Sequence, residues 1–231
     1  MSASFLIWLQ RIARFILRLI ARIEVVDFDK IPRQGGLIVV SNHNGLLDAM
    51  LGVIFSPRED IIMLVAKKYR AFWLWRWVGN KLDAVWLDRQ QTDFHAMREA
   101  RRRLQEGGLA AMAPEGTRSP TGALQPGKAG AVFLAAKADV PILPIAITGT
   151  RDREVKQQLR RLRRLRITLR AGDPFALPPL ERKERDAYLE QWTTETMCRL
   201  AALLPPSYRG VYAGHPRVAA LLNAEQVKEI V

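Results

Sequence analysis

A histidine and an aspartate five residues apart are the first pair in this sequence that could do acid–base chemistry. His43 lies in SNHNGLLDAM, Ser41 to Met50, where Asn44 and Gly45 separate it from the start of an apolar run that contains Asp48. Within one helix, five positions rotate a side chain by about 140°, so the two could not share a face. They meet only if the histidine precedes the helix, a turn that asparagine and glycine permit. The carboxylate would then hold one ring nitrogen while the other accepts a proton.

A second polar segment, PEGTRS at Pro114 to Ser119, changes the interpretation of this pair. Alone, the pair is more typical of a loop that caps a helix, since the chain has three histidines and a chance spacing is not rare. The second segment follows a predicted strand and combines a glutamate, a glycine, two hydroxyl groups and an arginine. Backbone N–H groups and a guanidinium in such a loop could hold a phosphate. An ordinary turn started by Pro-Glu-Gly is the alternative.

Both polar segments need strands and helices that place them at the same edge of a sheet. Short apolar runs bounded by turn residues predict strands, and capped periodic segments predict helices. The predicted strands are Leu37–Val40, Ile61–Ala66, Ala84–Arg89, one within GLAAMAPEG, Pro141–Ile147 and one that leads into AGDPFALPPL. The predicted helices begin near Leu46, after a Thr92 or Asp93 cap, at Gly130 and near Glu181. This alternation predicts an α/β fold: a single domain with a largely parallel (mixed) sheet flanked by helices.

The first 24 residues predict a helix of a different kind. Four arginines between Arg11 and Arg22 fall within an arc of about 80°, with most leucines and isoleucines across from them. The longest unbroken apolar run, Phe5 to Leu9, is far shorter than the roughly 20 residues that cross a bilayer. The pattern predicts a basic amphipathic helix in a membrane interface. The alternative is a helix packed on its own domain with a solvated basic face.

Composition narrows the classes of partner. The 36 basic and 23 acidic residues give a net charge of +13, which favours an anionic lipid, nucleotide or nucleic acid. Cys198 is the only cysteine, so the chain forms no internal disulfide and has no cysteine zinc site. With 231 residues that are 48% hydrophobic, the chain can bury a sizeable core, which argues against intrinsic disorder.

Four segments together resemble a known family. NHNGLLD, AVWLDR, PEGTRS and VPILPI, in this order, are similar to the four sequence blocks of the glycerolipid acyltransferases, which include bacterial 1-acylglycerol-3-phosphate acyltransferases. The resemblance covers about residues 25–175. It implies transfer of a fatty acyl group from acyl-CoA or acyl carrier protein to the free hydroxyl of 1-acylglycerol-3-phosphate, which gives phosphatidic acid. No metal and no cofactor are implied.

The resemblance also implies a role for individual residues. His43 would be the general base, and Asp48 would orient and charge it. The VPILPI block would shape the acyl pocket. The residues expected to bind substrate are Arg89, Glu115, Gly116, Thr117, Arg118, Lys67 and Lys128, with Glu115, Gly116 and Arg118 as the wall that holds the acceptor and the arginines and lysines reaching its phosphate.

These observations lead to one expected organisation and several alternatives. Residues 1–24 are expected to form the membrane-associating helix, 25–206 the acyltransferase domain and 207–231 a C-terminal tail. The chain is expected at the cytoplasmic face of an anionic membrane, with a lysophospholipid acceptor and without nucleic acid. The alternatives are another lysolipid acceptor such as a lyso-ornithine lipid, a hydrolase in which the pair activates water, and a non-catalytic basic module that binds membranes or RNA.

Overall fold

A six-stranded sheet carries both polar segments of the sequence at one edge. The computed structural model describes residues 3–88, 93–181 and 183–230; Arg89, expected to contact phosphate, lies outside these ranges. The strands are β1 (Ala21–Val26), β2 (Leu37–Ser41), β3 (Ile61–Ile62), β4 (Leu64–Ala66), β5 (Val85–Leu87), β6 (Leu109–Met112), β7 (Ile142–Thr148) and β8 (Leu165–Ala171). The helices are α1 (Ala3–Ile20), α2 (Leu46–Ile54), α3 (Trp73–Lys81), α4 (Phe94–Gln105), α5 (Gly130–Ala138), α6 (Asp152–Arg160), α7 (Arg185–Ala202) and α8 (Pro216–Ile230).

The main sheet has the strand order β1-β8-β7-β2-β6-β3. Its neighbouring strands are parallel except for β7 and β8, which are antiparallel. The predicted α/β class with a largely parallel sheet is therefore confirmed. Because β1 and β8 run against β7, they begin at the edge where β2 and β7 end. This edge carries the loops that follow β2, β6 and β7.

The centre of the sheet is apolar on both faces, as expected for strands covered by helices. Along β2, the residues from Leu37 to Val40 are all buried, and β7 is buried from Ile142 to Ile147. Helix α5, predicted at Gly130–Ala138, has those bounds in the structure and packs its buried side chains into the same core.

One predicted strand is wrong in its extent. Residues 61–66 form two strands in different sheets, because β3 pairs with β6 whereas β4 pairs with β5. Met63 lies between them and uses its carbonyl to accept a hydrogen bond from the backbone N–H of Val85. A continuous apolar run does not distinguish one strand from two, because both strands are made of apolar residues.

The N-terminal helix is shorter than the sequence pattern predicts. It ends at Ile20, and the next six residues form β1, which pairs along its length with β8. Arg22 thus belongs to a strand rather than to the basic face of a helix. Strand pairing satisfies backbone groups that another helical turn would have satisfied internally, so the periodicity of the side chains does not set this boundary.

Helix α1 packs on the domain by one face and leaves a second apolar face in solvent. Leu6, Gln10 and Leu17 are buried, and Gln10 donates to the carbonyl of Val53 on α2 at 2.8 Å. The exposed side chains on the other face are Trp8, Ile12, Phe15, Ile16 and Leu19. Across the described ranges, every helix is too short or too polar to cross a membrane.

The segment after residue 206 packs against the domain rather than forming a separate tail. Tyr208 and Tyr212 are buried in a cluster with residues of α7, and their hydroxyl groups accept hydrogen bonds from the backbone N–H groups of Gly149 and Gly127. The C-terminal segment therefore supports the loops that follow β7 and β6.

Candidate active site

The loop that carries His43 joins the end of β2 to the start of α2. The residue before the histidine, Asn42, is buried, and its side-chain amide makes two hydrogen bonds to a neighbouring strand like those of a backbone amide in a sheet. Its Nδ2 donates to the carbonyl of Ile147 at 2.8 Å, and its Oδ1 accepts from the N–H of Ile147 at 2.8 Å. This amide extends the pairing of β2 with β7 by one step and sets where the chain leaves the sheet. Asn42 was not among the site residues predicted from the sequence.

His43 and Asp48 are in contact, as expected for a histidine that precedes the helix, which begins at Leu46. The Nδ1 of His43 lies 3.2 Å from Oδ2 of Asp48, and the two side chains are 18% and 2% exposed. The same oxygen accepts the backbone N–H groups of Asn44 at 2.5 Å and Gly45 at 2.8 Å. An ionised carboxylate only accepts hydrogen bonds, so this contact suits the tautomer of a neutral imidazole that has its proton on Nδ1 and an acceptor at Nε2.

Gly45 is needed for a close approach rather than for an unusual backbone angle. Its φ of −159° is an extended conformation open to any residue. A Cβ at this position would lie 2.1 Å from the carbonyl oxygen of Thr150 and 2.8 Å from Oδ1 of Asp152. The start of α2 is therefore pressed against the loop that follows β7. Gly45 was predicted from the sequence as a turn residue, and this contact with the loop after β7 is an additional role.

Glu115 holds the histidine loop from inside the protein. It is 2% exposed, and its Oε1 accepts the backbone N–H of His43 at 2.9 Å while its Oε2 accepts that of Gln125 at 3.0 Å. From the same segment, the N–H of Ser119 donates to the carbonyl of His43 at 2.7 Å. A buried carboxylate needs such donors, which explains why it turns inward. Both oxygens of this carboxylate thus bind backbone N–H groups, and its expected contact with substrate stays a prediction.

Glu115→Gln is expected to destabilise the protein and to do so by a pH-dependent amount. The glutamine amide has an NH₂ group in place of one of the two carboxylate oxygens, so one backbone N–H loses its acceptor. This loss should lower the free energy of unfolding by about 1–3 kcal/mol. Burial raises the pKa of Glu115 above its ordinary range. Because the pKa of Glu115 is higher in the folded than in the unfolded protein, protonation of this carboxyl stabilises the folded state. This stabilisation is complete at pH values below the unfolded pKa and is lost as the pH rises through the folded pKa. The excess stability of the wild type should therefore shrink with rising pH across this interval.

Denaturant unfolding of both proteins at several pH values measures this difference. Glu106→Gln, at an exposed carboxylate near the end of α4, is the matched control. A difference that grows with rising pH across the interval would contradict the assignment.

Thr117 and Arg118 lie in solvent beside the histidine loop. The Nη1 of Arg118 is 2.8 Å from Oδ2 of Asp152, and the other carboxylate oxygen of Asp152 accepts the N–H of Leu46 at 3.0 Å. Asp152 therefore links the arginine to the first residue of α2. Asp152 was not among the predicted site residues, although an aspartate that opens a helix after a buried strand is a usable signal in the sequence. The cleft here is lined by Asn44, Thr117, Arg118, Ser119, Pro120, Thr121, Gly122, Arg151, Asp152, Arg153 and Glu154.

The two candidate lysines differ in their surroundings. Lys128 is exposed and extends along the backbone of Gly116, whose φ of +72° suits a glycine; a Cβ there would be 3.0 Å from the Lys128 ammonium. Lys67 lies 3.1 Å from Asp93 and 4.0 Å from Asp88, so its charge is offset by carboxylates. The structure therefore brings Lys128, but not Lys67, against the PEGTRS segment.

The VPILPI block is a buried central strand. Its residues Ile142, Leu143 and Ile145 belong to the hydrophobic core, and β7 is hydrogen-bonded on both sides by β2 and β8. Core packing accounts for this block. Within the described residues, no group of three or more His, Cys, Asp or Glu side chains is arranged to hold a metal ion.

Comparison with known proteins gives a family match and several relatives. The model of the family described as Acyltransferase matches residues 22–148. The chain is 33% identical over 148 residues to 1-acyl-sn-glycerol-3-phosphate acyltransferase alpha of Mus musculus, a match that covers 60% of this chain and 50% of the relative. It is 29% identical over 140 residues to 1-acyl-sn-glycerol-3-phosphate acyltransferase of Bacillus subtilis, covering 59% and 67%. The matched region thus spans about half the length of the mouse relative.

A solved structure shares the fold. The crystal structure of the 1-acyl-sn-glycerophosphate (LPA) acyltransferase PlsC from Thermotoga maritima superposes with a TM-score of 0.61 at 24% identity. The superposition covers 83% of this chain and 76% of that one. The similarity therefore extends beyond the residues that the family model matches.

Proposed function

The chain belongs to the acyltransferase family, and on this premise we propose that it is an O-acyltransferase that converts 1-acylglycerol-3-phosphate to phosphatidic acid. The observation that carries the proposal is the contact of His43 with Asp48, next to a cleft that Asn44 and Arg118 line. The relatives named for this activity support the same acceptor. The acyl donor is a thioester, acyl-CoA or acyl carrier protein.

In this reaction, His43 is the general base. Its Nε2 takes the proton of the acceptor hydroxyl as the hydroxyl oxygen forms a bond to the thioester carbonyl carbon. The carbon–sulfur bond then breaks, and the imidazolium returns the proton to the departing thiolate. Asp48 keeps the proton on Nδ1 and stabilises the positive charge that forms on the ring. The nucleophile belongs to the substrate, so this route uses neither a cofactor nor a metal.

The acceptor phosphate binds at the PEGTRS segment. Arg118 is half-exposed and can reach into the cleft, and Lys128 adds a second positive charge beside Gly116. Asp152 holds the Arg118 guanidinium at this position in the absence of substrate. Arginine offers two parallel N–H donors, which suits a phosphate better than a point charge does.

The same proposal places the protein at the cytoplasmic face of an anionic membrane. The exposed apolar side chains of α1, with Arg11 and Arg18 beside them, are the composition of an interfacial helix. Peripheral attachment of this kind brings the enzyme to acceptors that stay in the bilayer.

The test is acyl transfer by the purified full chain from labelled acyl-CoA and from acyl carrier protein. The acceptors to compare are 1-acylglycerol-3-phosphate, the corresponding 1-acylglycerol without phosphate, and a lyso-ornithine lipid. Phosphatidic acid as the main product supports the proposal. A preference for an acceptor without a terminal phosphate would overturn the acceptor assignment, and thioester breakdown without acylated product would indicate a hydrolase.

Arg118→Ala is expected to lower kcat/KM for 1-acylglycerol-3-phosphate by about 10- to 100-fold. A hydrogen bond to a charged group contributes about 1.5–3 kcal/mol, and each 1.4 kcal/mol corresponds to about a factor of ten. Turnover of 1-acylglycerol should change little, because it lacks the group that Arg118 binds. Steady-state kinetics with both acceptors measure the difference. Arg153→Ala, in the same cleft, is the matched control; equal losses for both acceptors would show that Arg118 does not recognise phosphate.

A further inference from the structure

The turn after α6 presents an exposed leucine in an unusual backbone conformation. Leu162 is 96% exposed and has a φ of +51°. Its N–H donates to the carbonyl of Leu159 at 3.0 Å, and the next N–H, of Arg163, donates to that of Gln158 at 2.9 Å. These two bonds define a Schellman motif with Leu162 at the C′ position, which is usually glycine.

Neither folding nor solubility explains a leucine at this position. In the left-handed conformation, Cβ is crowded against the following carbonyl oxygen, a strain that glycine avoids. A side chain left in water contributes no hydrophobic stabilisation to the folded state. The residue is unfavourable for the isolated protein on both counts, which points to a contact that Leu162 makes with something else.

The turn lies beside the C-terminal end of α1. The guanidinium of Arg164 donates to the carbonyl oxygens of Arg18 and, at 2.9 Å, Ala21. The two chain segments then enter neighbouring parallel strands, with Ala21 paired to Leu165. Leu162 thus lies two residues from an arginine that binds the end of α1, the part of the helix where Ile16 and Leu19 are exposed.

Aromatic side chains extend the same exposed face at the other end of α1. Phe5 packs against Trp77 of α3 with ring centroids 5.5 Å apart and against Trp8 at 6.3 Å. Trp8 and Trp77 are both about half-exposed. Tryptophan at the boundary between apolar and polar surface is typical of membrane interfaces.

The turn also lies at the edge of the sheet that carries the candidate active site. Helix α6 begins at Asp152, in the cleft beside Arg118, and ends at Arg160. At 1.5 Å per residue, its nine residues span only about 12–13 Å. Strand β8 follows Leu162, and strand β1 follows α1. Both begin at the edge of the sheet where β2 ends, and the last residue of β2 directly precedes Asn42. An occupant of this surface would lie close to the mouth of the cleft.

The charge around Leu162 selects an anionic occupant. Arg160, Arg161 and Arg163 are exposed, and in the described part of the chain none of them is held in an ion pair. An apolar tip inside a ring of unpaired arginines fits a bilayer, where the leucine enters the acyl region and the guanidinium groups contact lipid phosphates.

We propose that Leu162 is a membrane-inserting tip that acts together with the exposed apolar face of α1 on an anionic bilayer. Two insertion points orient the domain where one helix would leave it free to rotate about its axis. The orientation directs the cleft of Arg118 and His43 toward the lipid surface, where the hydroxyl and phosphate of the acceptor lie. The inference rests on the proposed function only for this last consequence.

Leu162→Gly tests the proposal, because it should change stability and membrane binding in opposite directions. Glycine relieves the strain at C′, so thermal unfolding of the variant should occur at a higher temperature than that of the wild type. Removal of the side chain should weaken binding to vesicles of phosphatidylcholine and phosphatidylglycerol by roughly tenfold. Binding is measured by cosedimentation of the full chain, without an acyl donor. Leu162→Asn, which also tolerates this backbone conformation, should weaken binding similarly.

The matched control is Val211→Ser, at an exposed aliphatic residue outside this surface. It should bind these vesicles as the wild type does. The double variant Arg161→Gln/Arg163→Gln should lose affinity for the anionic vesicles. The proposal would be overturned if Leu162→Gly bound vesicles as tightly as the wild type does. It would also be overturned if this variant lost affinity for acyl carrier protein while its binding to vesicles stayed intact.

Turnover separates this inference from the proposed function. With the acceptor dispersed in detergent, Leu162→Gly should transfer acyl groups at the wild-type rate, whereas on vesicles it should be slower. A wild-type protein that binds vesicles through Leu162 but transfers no acyl group in detergent would refute the enzymatic assignment alone. Full activity in detergent with no effect of Leu162 on vesicle binding would refute the insertion of the tip alone.

Discussion

His43→Ala is expected to lower the rate of acyl transfer by about 10²- to 10⁴-fold, the usual contribution of a positioned general base. The loop should keep its shape in this variant, because it is held by backbone atoms. The N–H of His43 donates to Glu115, and its carbonyl accepts from Ser119. The ring itself contacts Asp48. Loss of the imidazole therefore removes the proton acceptor without removing the bonds that join the two polar segments.

The measurement is kcat for transfer from acyl-CoA to 1-acylglycerol-3-phosphate, with circular dichroism and thermal unfolding to check the fold. His95→Ala, at an exposed histidine on α4, is the matched control and should be as active as the wild type. A folded His43→Ala enzyme with more than a tenth of the wild-type rate would remove His43 from the mechanism. A loss confined to KM would make it a binding residue instead.

Asp48→Asn is expected to reduce kcat by a comparable factor, about 10²–10⁴, with little change in KM. The asparagine oxygen can still accept the N–H groups of Asn44 and Gly45, so the start of α2 should keep its geometry. The amide carries no charge to stabilise the imidazolium. In the structure, Oδ2 makes all the hydrogen bonds of this carboxylate, and Oδ1 is buried without a partner among the described residues. The charge of Asp48 is thus directed at the histidine and the helix start.

A double-mutant comparison shows whether Asp48 acts through His43. In the His43→Ala background, Asp48→Asn should lower the rate little further, because residues that act as a unit are not additive. Losses that multiply would show that Asp48 acts independently of the histidine. Asp48→Ala should additionally destabilise the protein by about 2–6 kcal/mol, since it leaves two backbone N–H groups without an acceptor, each at about 1–3 kcal/mol. Asp29→Asn, at an exposed aspartate, is the control for charge removal.

The PEGTRS segment supports the loop that carries His43, so variants within this segment should have different effects that depend on which side chain is changed. Glu115 and Ser119 fix the backbone of His43, whereas Arg118 faces the cleft and pairs with Asp152. Substitutions at Glu115 should therefore change kcat through the position of the base. Substitutions at Arg118 should change the preference for phosphate. One short segment thus serves catalysis and recognition through side chains on opposite sides.

Local patterns in the sequence were sufficient for several features of this protein. The apolar run at Leu37–Val40, the helix at Gly130–Ala138 and the start of α2 at Leu46 are confirmed, because each depends on a pattern within one element. The contact of His43 with Asp48 is also local: a turn of two residues and the first turn of a helix decide it. The order of four short blocks was enough to indicate the family.

Long-range pairing decided the rest. The end of α1 depends on β1 meeting β8, about 145 residues further along the chain, and no local periodicity encodes that register. The contacts of Asn42 with Ile147 and of Asp152 with Leu46 became visible only when the ends of β2 and β7 were placed side by side. Glu115 was identified as a residue of the site, but its inward orientation follows from burial, which one segment does not specify. Side-chain types and spacing thus determined the chemistry available, whereas the pairing of distant strands determined which groups support it, because a contact between segments depends on both of them.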